Sequence, residues 1–336
     1  MLAISSGSTL LNLALTGCAN SGYPLGRISN IVGDKSTGKT LLAIEAMRSF
    51  IDNFQEPKIV YYETEAAFDV TYANSELGLP TERIEIIEGS TVENLYDCLI
   101  KVCDDEFDAG LFIVDSLDAL TSKDELEKNI EKGSYGLSKQ KKLGELFRKT
   151  VRLIENKNLH LMIISQVRSN ITNLSFGPKY IRSGGKALDF FASHILWLRE
   201  VKKLKILKRG KEFVTGITID AKVTKNKVAP PYRQISFPIM YSYGIDDIKS
   251  MLDYLCGFSA KDSPVKKDKN KYVLPLDGAH SLNSVYQLIN KDRTVYDWLQ
   301  EACAELWLDI ENSLKQDIPN KGFLSSKNAK NKKSCG

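Results

Sequence analysis

The stretch "GDKSTGKT", residues 33–40, stands between the apolar run "RISNIV" (27–32) and the helical pattern "LLAIEAM" (41–47). A GxxxxGK[ST] loop with a strand before it and a helix after it is typical of a phosphate-binding loop. Its glycines allow a tight turn whose N–H groups point at phosphate oxygens, and the helix directs its positive end at the same anion. We therefore expect nucleotide phosphates at Gly33, Asp34, Lys35, Ser36, Thr37, Gly38, Lys39 and Thr40.

The bulk composition is that of an ordinary globular protein, with 336 residues, 43% hydrophobic residues, 26% charged residues and a net charge of +4. The six cysteines form no CxxC pair and lie far from the three histidines, so we expect reduced thiols and no zinc site. The chain has no basic n-region at its start and no apolar run of ~20 residues. These features predict a cytoplasmic protein that does not bind a membrane.

Short apolar runs alternate with helical patterns over the first 250 or so residues. The apolar runs predict strands over 27–32, 58–63, 83–88, 111–115, 159–165 and 194–199. The helical patterns lie near 39–53, 91–104 and 138–156. Because the runs lack strict alternation, the strands are expected to be covered on both faces. The fold class is therefore α/β, with a mostly parallel sheet flanked by helices, and later strands extend that sheet.

The remaining chain has a different character. A polar segment at 259–271 predicts a linker between a core at 1–258 and a small helical C-terminal region at 272–318. Within that region, 294–314 is amphipathic with helical spacing. The basic segment 319–336 is expected to be a disordered tail.

Acidic residues follow two of the predicted strands. Asp115 ends the buried run "LFIVD", where ligands bind at the carboxyl edge of an open α/β sheet, so we expect it to hold Mg²⁺ together with Thr40. The alternative role for Asp115 is an N-cap on the next segment. Glu63 ends the strand "KIVYYE" and Glu65 follows it by two residues, and a carboxylate there could polarise water attacking a γ-phosphate. The residues alone do not choose between the two glutamates.

Taken together, these motifs resemble the RecA family of ATP-dependent DNA recombinases, from about Ile4 to Leu255. The resemblance looks closest to the recombinases carried by bacteriophages, and it implies a RecA-like P-loop NTPase core that uses ATP and Mg²⁺. The stretch "YYETEAAFDVTYANSELGL" (61–79) resembles the family's catalytic-glutamate segment, which selects Glu65. The same resemblance places Asp69, Tyr72 and Tyr241 against the adenine, and a tyrosine face can stack on a purine.

The resemblance also implies two loops that bind DNA. The stretch "GSYGLSKQKKLGELFRKTVRLI" (133–154) is similar to the first of them. In "MIISQVRSN" (162–170), Gln166 matches the glutamine that senses the γ-phosphate. The long basic stretch at 167–185 is similar to the second loop, where cations can meet phosphates and aromatics can stack on bases. The DNA-binding residues implied are Tyr135, Arg168, Phe176, Lys179, Arg182, Gly184 and Gly185.

Lys225 and Lys227, in "KVTKNK" (222–227), fall on two family lysines that reach the ATP of the adjacent subunit. Such lysines stabilise charge on the transferring phosphoryl group, as an arginine finger does. The catalytic set implied is thus Glu65, Lys39, Gln166, Lys225 and Lys227. The chain departs from the family pattern at its start, where the usual N-terminal arm is not matched, and in its C-terminal region.

The function expected is a DNA-dependent ATPase that polymerises on single-stranded DNA and promotes pairing and strand exchange with homologous duplex DNA. The homo-oligomer would be a helical filament or a ring, in a bacterial or infected-host cytoplasm. Three alternatives remain open: an ATP-regulated single-strand binding or annealing protein, a RecA-fold helicase-type motor, and a nucleotide-binding protein that does not bind DNA. The basic aromatic loop argues against the last of these.

Overall fold

The computed structural model of the chain describes residues 2–126, 137–169, 180–182, 185–258, 263–275 and 278–314. In chain order, the strands are β1 (Ala3–Ile4), β2 (Tyr23–Pro24), β3 (Ile28–Gly33), β4 (Lys58–Glu63), β5 (Glu85–Glu88), β6 (Gly110–Asp115), β7 (Leu159–Ser169), β8 (Tyr180–Arg182), β9 (His194–Lys208), β10 (Lys211–Asn226), β11 (Gln234–Met240), β12 (Gly244–Ile245), β13 (Lys266–Asp268), β14 (Lys271–Leu274) and β15 (Gly278–Ser281).

The α-helices are α1 (Thr9–Thr16), α2 (Lys39–Asn53), α3 (Val70–Ser75), α4 (Val92–Asp104), α5 (Lys123–Leu126), α6 (Leu137–Asn156), α7 (Gly185–Phe191), α8 (Asp247–Leu255), α9 (Leu282–Lys291) and α10 (Thr294–Ser313), and Thr81–Arg83 is a short 3₁₀ turn. All six strands and all three helices predicted from the apolar patterns are present. Within the described residues, no helix combines the length and apolar character needed to cross a membrane.

The central sheet has the strand order β12-β11-β10-β9-β3-β7-β6-β4-β5, and β8 pairs with β7. In this order, the neighbouring pairs β9-β3, β3-β7, β7-β6, β6-β4 and β4-β5 are parallel. The pairs β12-β11, β11-β10 and β10-β9 at one side of the sheet are antiparallel. The predicted fold class is therefore confirmed. The parallel order also brings the carboxyl ends of β3, β4, β6 and β7 to one edge of the sheet, which is where ligands bind in such folds.

Two apolar clusters cover the two faces of this sheet. One contains the leucines of α1 together with α2, α8 and α10, and the other contains α4 and α6. Strand β6 illustrates the result, because Leu111, Phe112 and Ile113 have no exposed surface although their side chains alternate between the faces. Continuous apolar runs rather than alternating ones are expected for strands buried in this way.

The C-terminal part of the chain packs on the core through α10. Helix α10 covers α8 and α1, and Gln300 Nε2 donates to Thr9 Oγ1 of α1 at 3.0 Å. Arg233, just before β11, donates from Nη2 to Glu311 Oε2 of α10 at 2.6 Å. The segment predicted as a linker, 259–271, includes β13 and the first residue of β14. Strands β13 and β14 pair antiparallel, and β15 completes a three-stranded sheet. Its exposed, lysine-rich residues gave no apolar pattern from which strands could be predicted. The division of the chain into domains stays a prediction.

Candidate nucleotide site and the RecA family

The predicted phosphate loop joins the end of β3 to the start of α2. Gly38 caps the helix with φ 82° and Ser36 has φ 58°, so the loop makes the left-handed turns that direct N–H groups inward. A Cβ atom on Gly38 would lie 2.4 Å from Ile239 Cδ1. A side chain there would be strained at this positive φ and would displace Ile239. The loop is built as an anion cradle at a helix N-terminus.

Lys39 lies across this loop in the structure. Its Nζ donates to the backbone oxygen of Asp34 at 2.7 Å, and Thr37 Oγ1 donates to the same oxygen at 2.9 Å. Burial lowers the pKa of Lys39, although Asp115, Asp34 and Glu65 act in the opposite direction. From this position, a small rotation of the Lys39 side chain would bring its ammonium group against a phosphate bound in the loop.

Asp115 and Thr40 meet as the sequence predicted. Thr40 Oγ1 donates to Asp115 Oδ2 at 2.7 Å, and Tyr61 Oη donates to the same oxygen at 2.6 Å. Burial raises the pKa of Asp115, and the two hydroxyl groups partly counter that effect. A carboxylate and a hydroxyl beside a phosphate cradle are the hard oxygen ligands that Mg²⁺ prefers, so the residues present fit that ion.

Glu63 and Glu65 have different surroundings. Glu63 is buried, and its Oε1 accepts the N–H groups of Ala67 and Phe68 at 2.5 Å each, which holds the turn after β4. Glu65 is exposed at the sheet edge, where its Oε1 accepts hydrogen bonds from Ser116 Oγ and, at 2.8 Å, from Gln166 Nε2. Glu63 therefore holds the backbone of the turn, and Glu65 is the one of the two carboxylates that is exposed at this edge.

Gln166 is placed beside the phosphate loop by strand pairing. Strands β3 and β7 are parallel, with Gln166 opposite Gly33. The backbone N–H of Gln166 also donates to Asp118 Oδ2 at 2.6 Å. Gln166 thus contacts Glu65 through its side chain and the segment after β6 through its backbone.

Sequence reasoning missed two residues of this site, Tyr61 and Asp118. Tyr61 reads as an ordinary core aromatic in an apolar strand, and its buried hydroxyl is the only sign of a polar role. Asp118 follows Asp115 by three residues in a turn of no regular pattern. Neither contact has a signal in the sequence, because each depends on which strands become neighbours.

A cavity of 520 Å³ continues from the phosphate loop. It is bounded by α2, by the segment around α3 and by the end of β11, and its lining includes Asp69, Tyr72 and Tyr241. Asp69 caps α3 by accepting from Tyr72 N at 2.9 Å, and Tyr72 Oη accepts from Ser242 N at 3.4 Å. The structure therefore brings together the three residues expected at the adenine and the phosphate loop.

Lys225 and Lys227 lie elsewhere. The Nζ of Lys225 donates to the backbone oxygens of Asp189 and Phe190, and the Nζ of Lys227 donates to that of Phe190 at 3.1 Å. Both ammonium groups thus bind the C-terminal end of α7. Burial, with help from Lys227, lowers the pKa of Lys225 to about 8.

Strand register shows which edge of the sheet these lysines occupy. Lys225 pairs with Ile195, and Ile195 pairs with Asn30 in the first half of β3. The backbone N–H of Lys227 donates to Ser193 O, just before β9 begins. The phosphate loop follows the other end of β3. Within one chain, the two lysines therefore lie at the opposite edge from the phosphate loop.

Most of the predicted DNA contacts cannot be located. Tyr135, Phe176, Lys179 and Gly184 lie outside the described residues, as does the side chain of Arg168, whereas Gly185 begins α7. Arg182 is described. It lies in β8, which pairs with the end of β7, and its guanidinium forms an ion pair with Asp189. A short hairpin thus forms part of the long stretch after Gln166, which the sequence had suggested only as a loop.

The sheet order, the glycine loop and the Thr40–Asp115 pair define a P-loop nucleotide-binding protein of the α/β class. The family model described as the RecA N-terminal domain matches residues 1–246. The chain therefore belongs to the RecA family.

Individual relatives agree. Protein RecA of Sulfurovum sp. (strain NBC37-1) is 34% identical over 254 residues, which cover 75% of this chain and 69% of that protein. Protein RecA of Helicobacter pylori (strain P12) is 33% identical over 252 residues, covering 75% and 69%. Protein RecA of Ehrlichia canis (strain Jake) is 33% identical over 252 residues, covering 75% and 67%.

Proposed function

We propose that this protein is an ATP-dependent recombinase that binds single-stranded DNA and promotes pairing and strand exchange with homologous duplex DNA. The observation that carries the proposal is the hydrogen bond between Gln166 Nε2 and Glu65 Oε1. It connects the candidate phosphate site to β7, the strand that leads into the residues proposed to bind DNA. Membership of the RecA family supports the same proposed function.

The roles proposed at the nucleotide site follow from its geometry. The residues 33–40 cradle the phosphates, Lys39 supplies positive charge, and Asp69, Tyr72 and Tyr241 surround the adenine. Thr40 and Asp115 would hold Mg²⁺, which neutralises phosphate charge when bound. Glu65 orients and polarises the attacking water, because its carboxylate is exposed at the sheet edge whereas that of Glu63 is used by the backbone.

Gln166 would act as the coupling residue. In the free chain its amide donates to Glu65, and a γ-phosphate offers a competing acceptor. An exchange of acceptor would move the end of β7 and, with it, Arg168 and the residues after it. The DNA contacts proposed beyond β7 are Phe176, Lys179, Arg182, Gly184 and Gly185, with Tyr135 before α6. DNA would compete with Asp189 for Arg182.

A complete ATP site would need two copies of the chain. Lys225 and Lys227 lie at the sheet edge opposite the phosphate loop, so only a neighbouring copy can bring them to a bound ATP. Their present acceptors are backbone oxygens at the C-terminal end of α7, which a bound phosphate could replace. A homo-oligomer with ATP between subunits follows. We further propose a phage-type recombinase acting in a bacterial or infected-host cytoplasm.

The direct test is steady-state ATP hydrolysis with and without single-stranded DNA. We expect DNA to stimulate the wild-type rate, and Gln166→Ala to retain DNA-independent turnover while losing the stimulation. Glu65→Gln is the control for hydrolysis itself and should lose turnover in both conditions, by about 10²-fold or more. Equal wild-type rates with and without DNA would contradict the coupling.

A strand-exchange assay separates the proposed recombinase from the other RecA-fold functions. With a single-stranded circle and a homologous linear duplex, a recombinase produces joint molecules that require ATP. A protein that anneals complementary single strands but forms no joint molecules would be an annealing protein. Unwinding of a duplex without homologous single-stranded DNA would identify a helicase-type motor.

A further inference from the structure

A partly buried ion pair lies behind the wall of the candidate base cavity. Glu45 and Arg48 occupy α2, one and a half to two turns after the phosphate loop, and Arg48 Nη1 donates to Glu45 Oε2 at 3.0 Å. The side chain of Glu45 is only 10% exposed. Burial raises the pKa of Glu45, and the neighbouring Arg48 opposes that shift. Neither residue lines the base cavity; both line a second cavity of 460 Å³.

Arg48 connects α2 to the wall formed by α3. Its Nη2 donates to the backbone oxygen of Leu77, and Leu77 lines the base cavity together with Asp69 and Tyr72. A guanidinium serves both acceptors at once from two separate nitrogens, because its planar fork offers several N–H groups at fixed angles. The position of the α3 wall relative to α2 thus depends on this side chain.

Glu45 connects the same pair to the third wall, at the turn between β11 and β12. Its carboxylate accepts a backbone hydrogen bond from Ile245. Gly244 approaches so closely, with φ 104°, that a Cβ atom there would lie 2.4 Å from Glu45 Oε1. Tyr241 and Met240, just before this turn, line the base cavity. One ion pair therefore contacts all three walls of the cavity.

We propose that Glu45 and Arg48 are positioning residues that fix the relative positions of the three walls of the base cavity. In this way they set its affinity and selectivity for the purine base. This inference rests on the proposed ATP site and deepens it. The pair touches no reacting group, so it acts on nucleotide binding and leaves the chemical step unchanged. Its loss should raise KM for ATP while kcat at saturating ATP is retained.

The experiment measures equilibrium binding of ATP and GTP by calorimetry on the full chain, together with KM and kcat for hydrolysis. We expect Arg48→Met to weaken ATP binding about tenfold, the effect of losing a charged hydrogen bond, and to reduce the preference for ATP over GTP. The matched control is Arg152→Met. Arg152 likewise pairs with a glutamate three residues away, Glu155, but its side chain is 82% exposed on α6, so this variant should bind ATP as the wild type does.

A double variant, Glu45→Met with Arg48→Met, separates positioning from stability. It leaves no unpaired buried charge, and such replacements are often neutral for folding. A pair that only stabilises the fold predicts wild-type ATP affinity in the double variant. Positioning predicts that affinity stays low, because methionine cannot donate to Leu77. Arg48→Lys, which keeps the charge but not the fork, should lose part of the affinity.

The outcomes distinguish this inference from the proposed function. If the wild-type protein binds no ATP, the proposed nucleotide site is overturned, and the positioning role with it. If the wild type binds ATP and either methionine variant binds it equally well, only the positioning role is overturned. A lower kcat with unchanged KM would overturn it too.

Discussion

At the scale of single residues, the candidate metal site depends on a tyrosine that was not predicted. Tyr61 Oη and Thr40 Oγ1 both donate to Asp115 Oδ2 and keep that oxygen oriented. Groups that orient a metal ligand contribute to affinity without contacting the metal. Tyr61 and its neighbour Tyr62 are each 1% exposed, but the Tyr62 hydroxyl has no hydrogen-bond partner among the described residues.

We expect Tyr61→Phe to weaken Mg²⁺-dependent nucleotide binding by about tenfold. The loss arises because Asp115 keeps its burial but loses a hydrogen bond that favours its charged form. Titrating a fluorescent ATP analogue at several Mg²⁺ concentrations measures the effect. Tyr62→Phe removes a hydroxyl from the adjacent residue of the same strand and should bind like the wild type. Equal behaviour of the two variants would exclude an orienting role for Tyr61.

Two buried histidines should make stability depend on pH. Burial lowers the pKa of His160 to about 4 and, with His160 nearby, that of His194 to about 3. In the unfolded chain their pKa is about 6.5. As the pH falls below 6.5, the unfolded chain takes up these protons first, so the free energy of unfolding falls. The stability they contribute is complete above pH 6.5 and is lost towards pH 4.

Between pH 7 and pH 4, the free energy of unfolding should fall by about 3 kcal/mol less in His160→Gln than in the wild type, which is the equivalent of the shift in the pKa of His160. Urea unfolding at roughly pH 7.0, 6.0, 5.0 and 4.5 measures how the free energy of unfolding changes with pH. The control His280→Gln changes a partly exposed ring in β15 and should keep the wild-type slope. An unchanged slope in His160→Gln would show that other groups cause the acid sensitivity.

At the scale of elements, the contacts around Asp247 hold three helices together. Asp247 is the first residue of α8, and its carboxylate accepts from Thr9 N and Thr9 Oγ1 at 2.7 Å each, at the start of α1. Tyr296 Oη of α10 donates to the same carboxylate at 3.0 Å. Burial raises the pKa of Asp247, and the hydrogen bonds from Thr9 oppose the shift.

Replacing Asp247 by alanine should lower the free energy of unfolding by about 2–4 kcal/mol, because buried donors on α1 and α10 then lack an acceptor. Chemical denaturation followed by circular dichroism measures the loss. Asp309→Ala is the control, since Asp309 is exposed on α10, and its effect should stay within about 0.5 kcal/mol. A loss no larger than that of the control would mean that α10 is held by its apolar contacts alone.

At the scale of the whole molecule, the opposite locations of the phosphate loop and the lysine pair predict complementation between subunits. Lys225→Ala and Glu65→Ala should each be inactive alone. Mixed in equal amounts, they should regain about a quarter of the wild-type ATPase rate, because some interfaces combine an intact loop with intact lysines. No recovery at any mixing ratio would favour a site contained within one chain.

Negative-stain microscopy with DNA and a non-hydrolysable ATP analogue would show whether the copies form filaments or rings.

The central sheet was predictable because each parallel strand is a local apolar run. Strands such as β6 have both faces buried, so their composition alone identifies them. The same reasoning failed for β13, whose three residues are all exposed, and for β14, whose four residues begin with an exposed lysine. Asp115 was found from its place at the end of a predicted strand, whereas family resemblance selected Glu65 and Gln166. Their meeting at one sheet edge follows from parallel strand order.

The sequence by itself determined the phosphate loop, the strand and helix pattern and the candidate carboxylates, because these depend on residue types at fixed local spacing. Only the tertiary structure decided which glutamate holds a turn and which faces the site, since Glu63 and Glu65 are two residues apart in one segment. It alone brought Tyr61 to Asp115 and Arg48 to Leu77, and set Lys225 at the far edge of the sheet. Such contacts depend on strand neighbours and register, which link residues distant in sequence.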